Sequence, residues 1–230
     1  EVVFDGIAGT ETRLESGQTV TADKVLCALG RVAQLAGLAI DRAGLAVDER
    51  GLIPVNAHGQ TAVPHIYAAG DVIGPPALAS ASMEQGRRAA CHLLGVAPGA
   101  GSAFLPTGIY SVPELAGVGL TEAEARDRHG DVVVGVARFA EIARGQISGT
   151  QSGYLKLVVT PDRKLRGVHI AGDQATDLVH MGQMALIHGA TIDVFIDNVF
   201  NFPTYGECFR VAALDAAESL ATTHLRASAG

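Results

Sequence analysis

The sequence predicts an α/β segment followed by an α+β domain, and three observations carry this prediction. An apolar run without alternation at 65–69 precedes Gly-Asp and a stretch of helix-forming residues at 77–94, as in a buried strand, turn and helix. Residues 95–101 are rich in Gly and Pro and indicate a linker. The order after the linker is helix, three strands, helix, helix, which favours an antiparallel sheet with helices on one face.

Composition excludes several classes of protein. The 230 residues are 48% hydrophobic and 18% charged, as in a folded globular chain. A net charge of −7 opposes binding to nucleic acid or to anionic membranes, and no apolar run reaches the roughly 18 residues of a membrane span. Three scattered cysteines and eight scattered histidines lack the spacing of a disulfide framework or a metal site. We therefore expect a cytoplasmic protein without metal, nucleic-acid or membrane partners.

The elements before the linker are predicted mainly as short strands. Residues 2–4 and the stretch through Leu14 form an expected strand pair around an Asp5-Gly6 turn. A chain that starts inside such a pair, without a leader, indicates a fragment of a longer protein. Further strands are expected where apolar runs end at turn signals, at 24–29, 45–47, 52–55 and 65–69.

The elements after the linker begin near Leu105. Thr121 and Glu124 have the spacing of a capping box, which predicts a helix to about residue 128. Residues 131–139 read as a strand, and a hairpin turning at Pro161-Asp162 is expected between 154–160 and 165–170. Two helices follow, at about 174–188 and 205–220.

One stretch of these residues resembles a known signature. Residues 61–71, TAVPHIYAAGD, resemble the second flavin-binding signature of the flavoprotein reductases that have two dinucleotide-binding domains. Three further stretches, at 79–87, 143–147 and 201–214, are most similar to the soluble pyridine nucleotide transhydrogenases of the class I pyridine nucleotide-disulfide oxidoreductase family. The resemblance implies an FAD-dependent oxidoreductase that passes hydride from NADPH through the flavin to NAD.

The resemblance also implies a domain plan for the C-terminal part of such a flavoprotein. Residues 1–32 would end the NAD(P)-binding domain, and 33–104 would form the second segment of the FAD-binding domain. Residues 105–222 would be an interface domain that forms a homodimer, and 223–230 a tail. Neither Gly-x-Gly pair of the chain completes a dinucleotide fingerprint, so those fingerprints are expected upstream.

Asp71 is the main candidate for contact with the cofactor. A carboxylate after a parallel strand suits a hydroxyl of the ribityl chain, because it only accepts hydrogen bonds. The backbone amides of the following helix would favour negative charge on the reduced ring, and they belong to Ala77, Leu78, Ala79 and Ser80. The resemblance adds Gly30, where the backbone would approach the cofactor. A turn aspartate and a closely packed core helix are the alternative interpretations.

Phe202 is the most informative departure from the family pattern. In dithiol-reducing relatives a histidine stands at this position and is paired with a glutamate, here Glu207. Phenylalanine cannot transfer a proton, so the departure favours hydride exchange between nicotinamide cofactors over dithiol reduction. Glu207 is then expected to be an interface or flavin-edge carboxylate, or simply an acid in the first turn of a helix. A dithiol reductase and a non-catalytic dimerisation module remain as alternatives.

Overall fold

The computed structural model describes residues 2–4, 9–101, 103–150 and 152–228. For residues 2–4 and 223–228 it describes the backbone only. The chain divides into two compact units, Glu1–Leu93 and Leu94–Gly230. The first unit opens with an antiparallel sheet of three strands in the order β1-β2-β3, at Val2–Phe4, Thr10–Arg13 and Thr19–Ala22. The pairing of β1 with β2 confirms the expected strand pair, whereas the Asp5-Gly6 turn lies outside the described residues.

The predictions of four further strands in the first unit are wrong. The chain has no strand at 24–29, 45–47, 52–55 or 65–69, and among the described residues of these runs only Tyr67 makes an isolated bridge, to Gln60. Apolar runs become strands only when a neighbouring strand completes the hydrogen-bond ladder, and here none does. Leu26 and Leu29 are consequently 90% and 97% exposed.

The helix of the first unit is close to its predicted position. Helix α1 spans Ala79–Leu93 and follows a short 3-10 helix at Asp71–Ile73. Its inner side carries small residues, with Ala81 and Ala89 buried. The stretch from Gly95 to Gly101 has no helix or strand, as expected of a linker.

The second unit contains a five-stranded antiparallel sheet where the sequence predicted three strands. The strand order is β4-β5-β8-β7-β6, and the strands are Thr107–Ile109, Leu115–Gly119, Val133–Arg138, Tyr154–Val159 and Leu165–Ala171 for β4 to β8. Strands β7 and β8 form the predicted hairpin. Strands β4 and β5 escaped prediction because they are short and glycine-containing, which weakens any strand pattern.

Within the described residues the second unit also contains five α-helices: α2 Glu122–His129, α3 Ala143–Ser148, α4 Ala175–Ile187, α5 Asp193–Ile196 and α6 Glu207–Ser228. The capping box of α2 is present as predicted. Helices α4 and α6 pack on the same side of the sheet. Val168 of β8 contacts α4, and Gly135 of β6 contacts α6. Both residues pair with Leu157 of β7 and therefore lie on the same face as Leu157. Helix α6 continues through the range 223–228, and residues 229–230 lie outside the described part.

Helix α2 is the exception to the expected one-sided arrangement. Its buried Ala125 packs with Val132 and Val158 in a separate small core. Side chains alternate along a strand, so Val158 points away from the Leu157 side of β7. The larger core lies under α4 and α6 and centres on Leu155, Leu157, Val168 and Phe209, all fully buried.

Candidate active site

Gly70 fixes the start of the turn that carries Asp71. Its φ of +82° and ψ of −156° are readily adopted only by glycine, and an added Cβ would lie 3.0 Å from Ser82 Oγ of α1. The Gly70 N–H donates to Gln85 Oε1 at 2.7 Å. The turn is therefore fastened directly to the middle of α1, and Asp71 takes the first position of the 3-10 helix.

Asp71 lines a cleft of about 340 Å³ together with two arginines. Arg31 Nη1 lies 3.7 Å from Asp71 Oδ2, and Arg50 lines the same cleft. The apolar part of the lining comes from Val32, Ala33, Leu52, Gly74, Pro75 and Ala77. The cleft thus combines one hydrogen-bond acceptor with two cationic donors. The sequence predicted Gly30 as a cofactor contact but not Arg31, because nothing local reveals the pairing of Arg31 with a carboxylate forty residues away.

Of the other predicted cofactor contacts, some line the cleft and some do not. Ala77 lines the cleft, whereas the Leu78 N–H donates to Pro76 O at 3.0 Å and is already satisfied. Helix α1 begins only at Ala79, so Ala79 and Ser80 occupy its first turn, and both residues are exposed. Gly30 has a φ of +105° and is exposed, and it is not among the residues that line the cleft.

The cleft fits part of a flavin nucleotide. Asp71 suits a ribityl hydroxyl, and the two arginines suit negative charge. Its volume is at the lower end of the range for small-molecule sites, so it matches a portion of a dinucleotide and not the whole.

Glu207 is the first residue of α6 in the second unit, and Phe202 lies five residues before it. Phe202 is 69% exposed and presents an apolar ring. Glu207 Oε2 accepts a hydrogen bond from the Thr204 N–H at 3.1 Å. The carboxylate thereby satisfies an amide just ahead of α6, which favours the helix-terminus interpretation of Glu207.

The cysteine after Glu207 is not a reactive thiol. Cys208 is fully buried, and burial raises the pKa of its thiol to about 12. A thiolate is the reactive form, so Cys208 is inert at physiological pH. Across the residues with described side chains, no cluster of three or more His, Cys, Asp or Glu could hold a metal ion. None of the helices in the described ranges combines the length and apolar character of a membrane span.

Two family profiles match the chain. The profile of the pyridine nucleotide-disulphide oxidoreductases matches residues 2–86, and that of their dimerisation domain matches residues 105–213. The chain belongs to the pyridine nucleotide-disulphide oxidoreductase family.

Relatives within this family are more specific. The chain is 48% identical over 211 residues to a soluble pyridine nucleotide transhydrogenase of Mycobacterium tuberculosis, a match that covers 91% of this chain and 45% of that protein. It is 42% identical over 226 residues to the protein of the same name from Serratia proteamaculans, a match that covers 94% of this chain and 49% of that protein. The chain therefore spans about half the length of these relatives.

Solved structures agree with this assignment. The HOCl-induced flavoprotein disulfide reductase RclA from Escherichia coli matches 90% of this chain and 48% of its own length, with a TM-score of 0.83 and 25% identity. LpdA from Mycobacterium tuberculosis matches 93% of this chain and 47% of its own length, with a TM-score of 0.78 and 25% identity.

Proposed function

We propose that this chain supplies half of an FAD-dependent oxidoreductase that transfers hydride from NADPH to NAD. It would contribute a segment of the flavin-binding domain and the whole dimerisation domain, and the protein would act as a homodimer. The observation that carries the proposal is the cleft in which Asp71, Arg31 and the approach to α1 meet. The names of the relatives support transhydrogenation as the reaction.

In this proposal the residues of the cleft bind and orient. Asp71 would accept a hydrogen bond from a ribityl hydroxyl. The Arg31 guanidinium lies 3.7 Å from the Asp71 carboxylate and would add positive charge beside the bound group. The first turn of α1 favours negative charge near its amides. When bound, flavin supplies the capacity to accept and release hydride.

Phe202 supports transhydrogenation over dithiol reduction. A dithiol reductase needs a base near its reactive thiol, and an exposed phenyl ring cannot serve as one. Glu207, which would orient such a base, is bonded to the Thr204 amide instead. In the assembled dimer we expect Phe202 and Glu207 near the flavin of the partner subunit.

The experiment is a chimera in which this chain replaces the matching half of the Mycobacterium tuberculosis transhydrogenase. We expect a yellow protein that transfers hydride from NADPH to a nicotinamide acceptor, followed by absorbance. The isolated 230-residue chain should bind FAD weakly and catalyse nothing, because it lacks a glycine-rich pyrophosphate turn. A chimera that retains flavin but oxidises NADPH only with a disulfide substrate would establish the dithiol reductase instead.

Asp71→Ala in the chimera tests the cleft itself. Losing a hydrogen bond to a charged acceptor should weaken flavin retention by about tenfold or more. Asp41→Ala is the control, because this exposed carboxylate lies in the same unit but does not line the cleft. Equal flavin loss in both variants would contradict a direct role for Asp71. A colourless chimera with native Asp71 would count against the whole proposal.

A further inference from the structure

Strand β6 forms one edge of the five-stranded sheet, since its partner among the described strands is β7 alone. Directly after β6, the Phe139 N–H donates to Gly153 O at 2.9 Å, so this amide points toward the chain that enters β7. Amides alternate in direction along an antiparallel strand, and those of Val134, Val136 and Arg138 therefore point outward. An outward row of amides and carbonyls is a surface to which a further strand can add.

Two carboxylates from outside the strand cover its outward amides. The Val136 N–H donates to Asp215 Oδ2 of α6 at 2.8 Å. The Arg138 N–H donates to Glu141 Oε2 at 3.0 Å, and Glu141 lies in the 3-10 helix that follows β6. A carboxylate only accepts hydrogen bonds, so it occupies an edge amide without offering a donor to an approaching carbonyl.

The packing of α6 holds Asp215 over the middle of β6. Asp215 lies between Ala212 and Ala216, and both of these alanines contact β6 at Gly135. The carboxylate is thereby placed beside the next residue of the strand, Val136. Asp215 itself is exposed to solvent, so the buried core does not depend on its side chain.

The sequence of β6 is well suited to pairing with a copy of itself. Residues 132–137 are VVVGVA, which are all apolar, largely β-branched and without proline or charge. Two copies of one edge can pair antiparallel about a twofold axis, which places the same segment opposite itself. The partner that fits this edge is therefore the β6 strand of a second chain.

We propose that the β6 edge is a self-association surface, which the Asp215 carboxylate keeps closed by occupying the Val136 amide. Glu141 closes the end of the same edge. When the Asp215 carboxylate is removed, the Val136 N–H is free to donate to a carbonyl of a second β6, and two sheets join edge to edge. This pairing adds to the homodimer expected for the second unit and does not replace it.

The test is Asp215→Ala in the 230-residue chain, compared with the unmodified chain by sedimentation at equal micromolar concentrations. Circular dichroism should show an unchanged fold, because the lost side chain is exposed. We expect the assembled mass to rise about twofold or more. Glu218→Ala is the matched control, because Glu218 is another exposed acid of α6 and, within the described residues, holds no amide of β6. An unchanged mass for Asp215→Ala, or an equal rise for Glu218→Ala, would overturn the proposal.

Two further variants locate the effect at the Val136 amide. Asp215→Asn keeps a side-chain oxygen that can accept from Val136, so it should sediment like the unmodified chain. Val136→Pro added to Asp215→Ala removes the outward N–H without removing a bond to β7, so the mass should return to that of the unmodified chain. Assembly that persists with Val136→Pro would come from another surface or from unfolding, and it would contradict pairing through β6. Assembly of Asp215→Asn as strong as that of Asp215→Ala would equally contradict closure by a hydrogen bond.

Discussion

At the scale of single residues, burial and pairing set the chemistry that each ionisable group can perform. Asp193 at the start of α5 is held by Arg163 of the β7–β8 turn and by the Thr191 hydroxyl. Cys208 is enclosed on all sides, whereas Cys27 is exposed. Asp71 stands between these cases, because its side chain is 40% exposed and its arginine partner is more exposed still. A ligand can therefore reach the Asp71 carboxylate without breaking a buried contact.

Cys208 should resist alkylation in the native chain. Burial holds the pKa of its thiol at about 12, so the reactive thiolate is absent at pH 8 and the sulfur is also inaccessible. Treatment with iodoacetamide followed by peptide mass analysis should find Cys27 modified and Cys208 unmodified, with both modified in urea. Native modification of Cys208 at the rate of Cys27 would contradict the structure.

The ion pair between Arg163 and Asp193 should stabilise the second unit in a pH-dependent way. The Arg163 guanidinium, with the Thr191 hydroxyl, lowers the pKa of Asp193 from 3.8 to about 2. A lowered pKa in the folded state gives stability that is present above pH 3.8 and is lost as the pH falls through about 2. The two side chains are 36% and 40% exposed, so solvent screening limits their contribution to about 1 kcal/mol.

Asp193→Asn should therefore reduce the free energy of unfolding by about 1 kcal/mol at pH 7, measured by urea denaturation. The loss should shrink toward pH 2, where the wild-type carboxyl is itself protonated. Asp127→Asn on the exposed side of α2 is the control and should change stability little. An Asp193→Asn loss of the same size at pH 2 and pH 7 would show that the ion pair is not its source.

At the scale of elements, the predictions that succeeded rest on local chemistry. The Thr121 and Glu124 capping box, helix α4 and the β7–β8 hairpin are all encoded within a few adjacent residues. The strand predicted at 24–29 failed because a strand exists only with a partner, which a local pattern cannot supply. The same distinction applies to the candidate site. The Gly70-Asp71 turn could be predicted from adjacent residues, whereas the pairing of Asp71 with Arg31 could not.

The contact between α6 and β6 leaves no room for a side chain at Gly135. A Cβ there would lie 2.0 Å from Ala212 O and 2.7 Å from Ala216 Cβ. Gly135→Ala should push the helix from the sheet and reduce the free energy of unfolding by about 1–3 kcal/mol, measured by urea denaturation. Gly86→Ala in α1 meets no atom within 4 Å and should instead be neutral or stabilising, because alanine favours helices. Equal effects of the two changes would contradict the close packing.

At the scale of the whole molecule, the exposed apolar surface agrees with the assignment of the second unit to the dimerisation domain. Val112, Val199 and Phe202 are 100%, 88% and 69% exposed, and they all lie within the profile match at 105–213. Exposed apolar residues occur in the first unit as well, so the profile match, and not exposure alone, assigns the interface to this domain. The sequence alone singled out Phe202, whereas the exposure of its ring is visible only in the fold.

We expect the chain to form a homodimer through residues 105–222. Sedimentation at micromolar concentration should give twice the 23.7 kDa mass of one chain. Val199→Glu should shift the population toward monomer, because burying an unpaired carboxylate at an interface costs several kcal/mol. Leu26→Glu introduces the same charge at an apolar side chain that is 90% exposed in the first unit, and it should leave the dimer intact. A monomeric mass for the unmodified chain would contradict the assignment of this surface, and dissociation by Leu26→Glu alone would move the interface to the first unit.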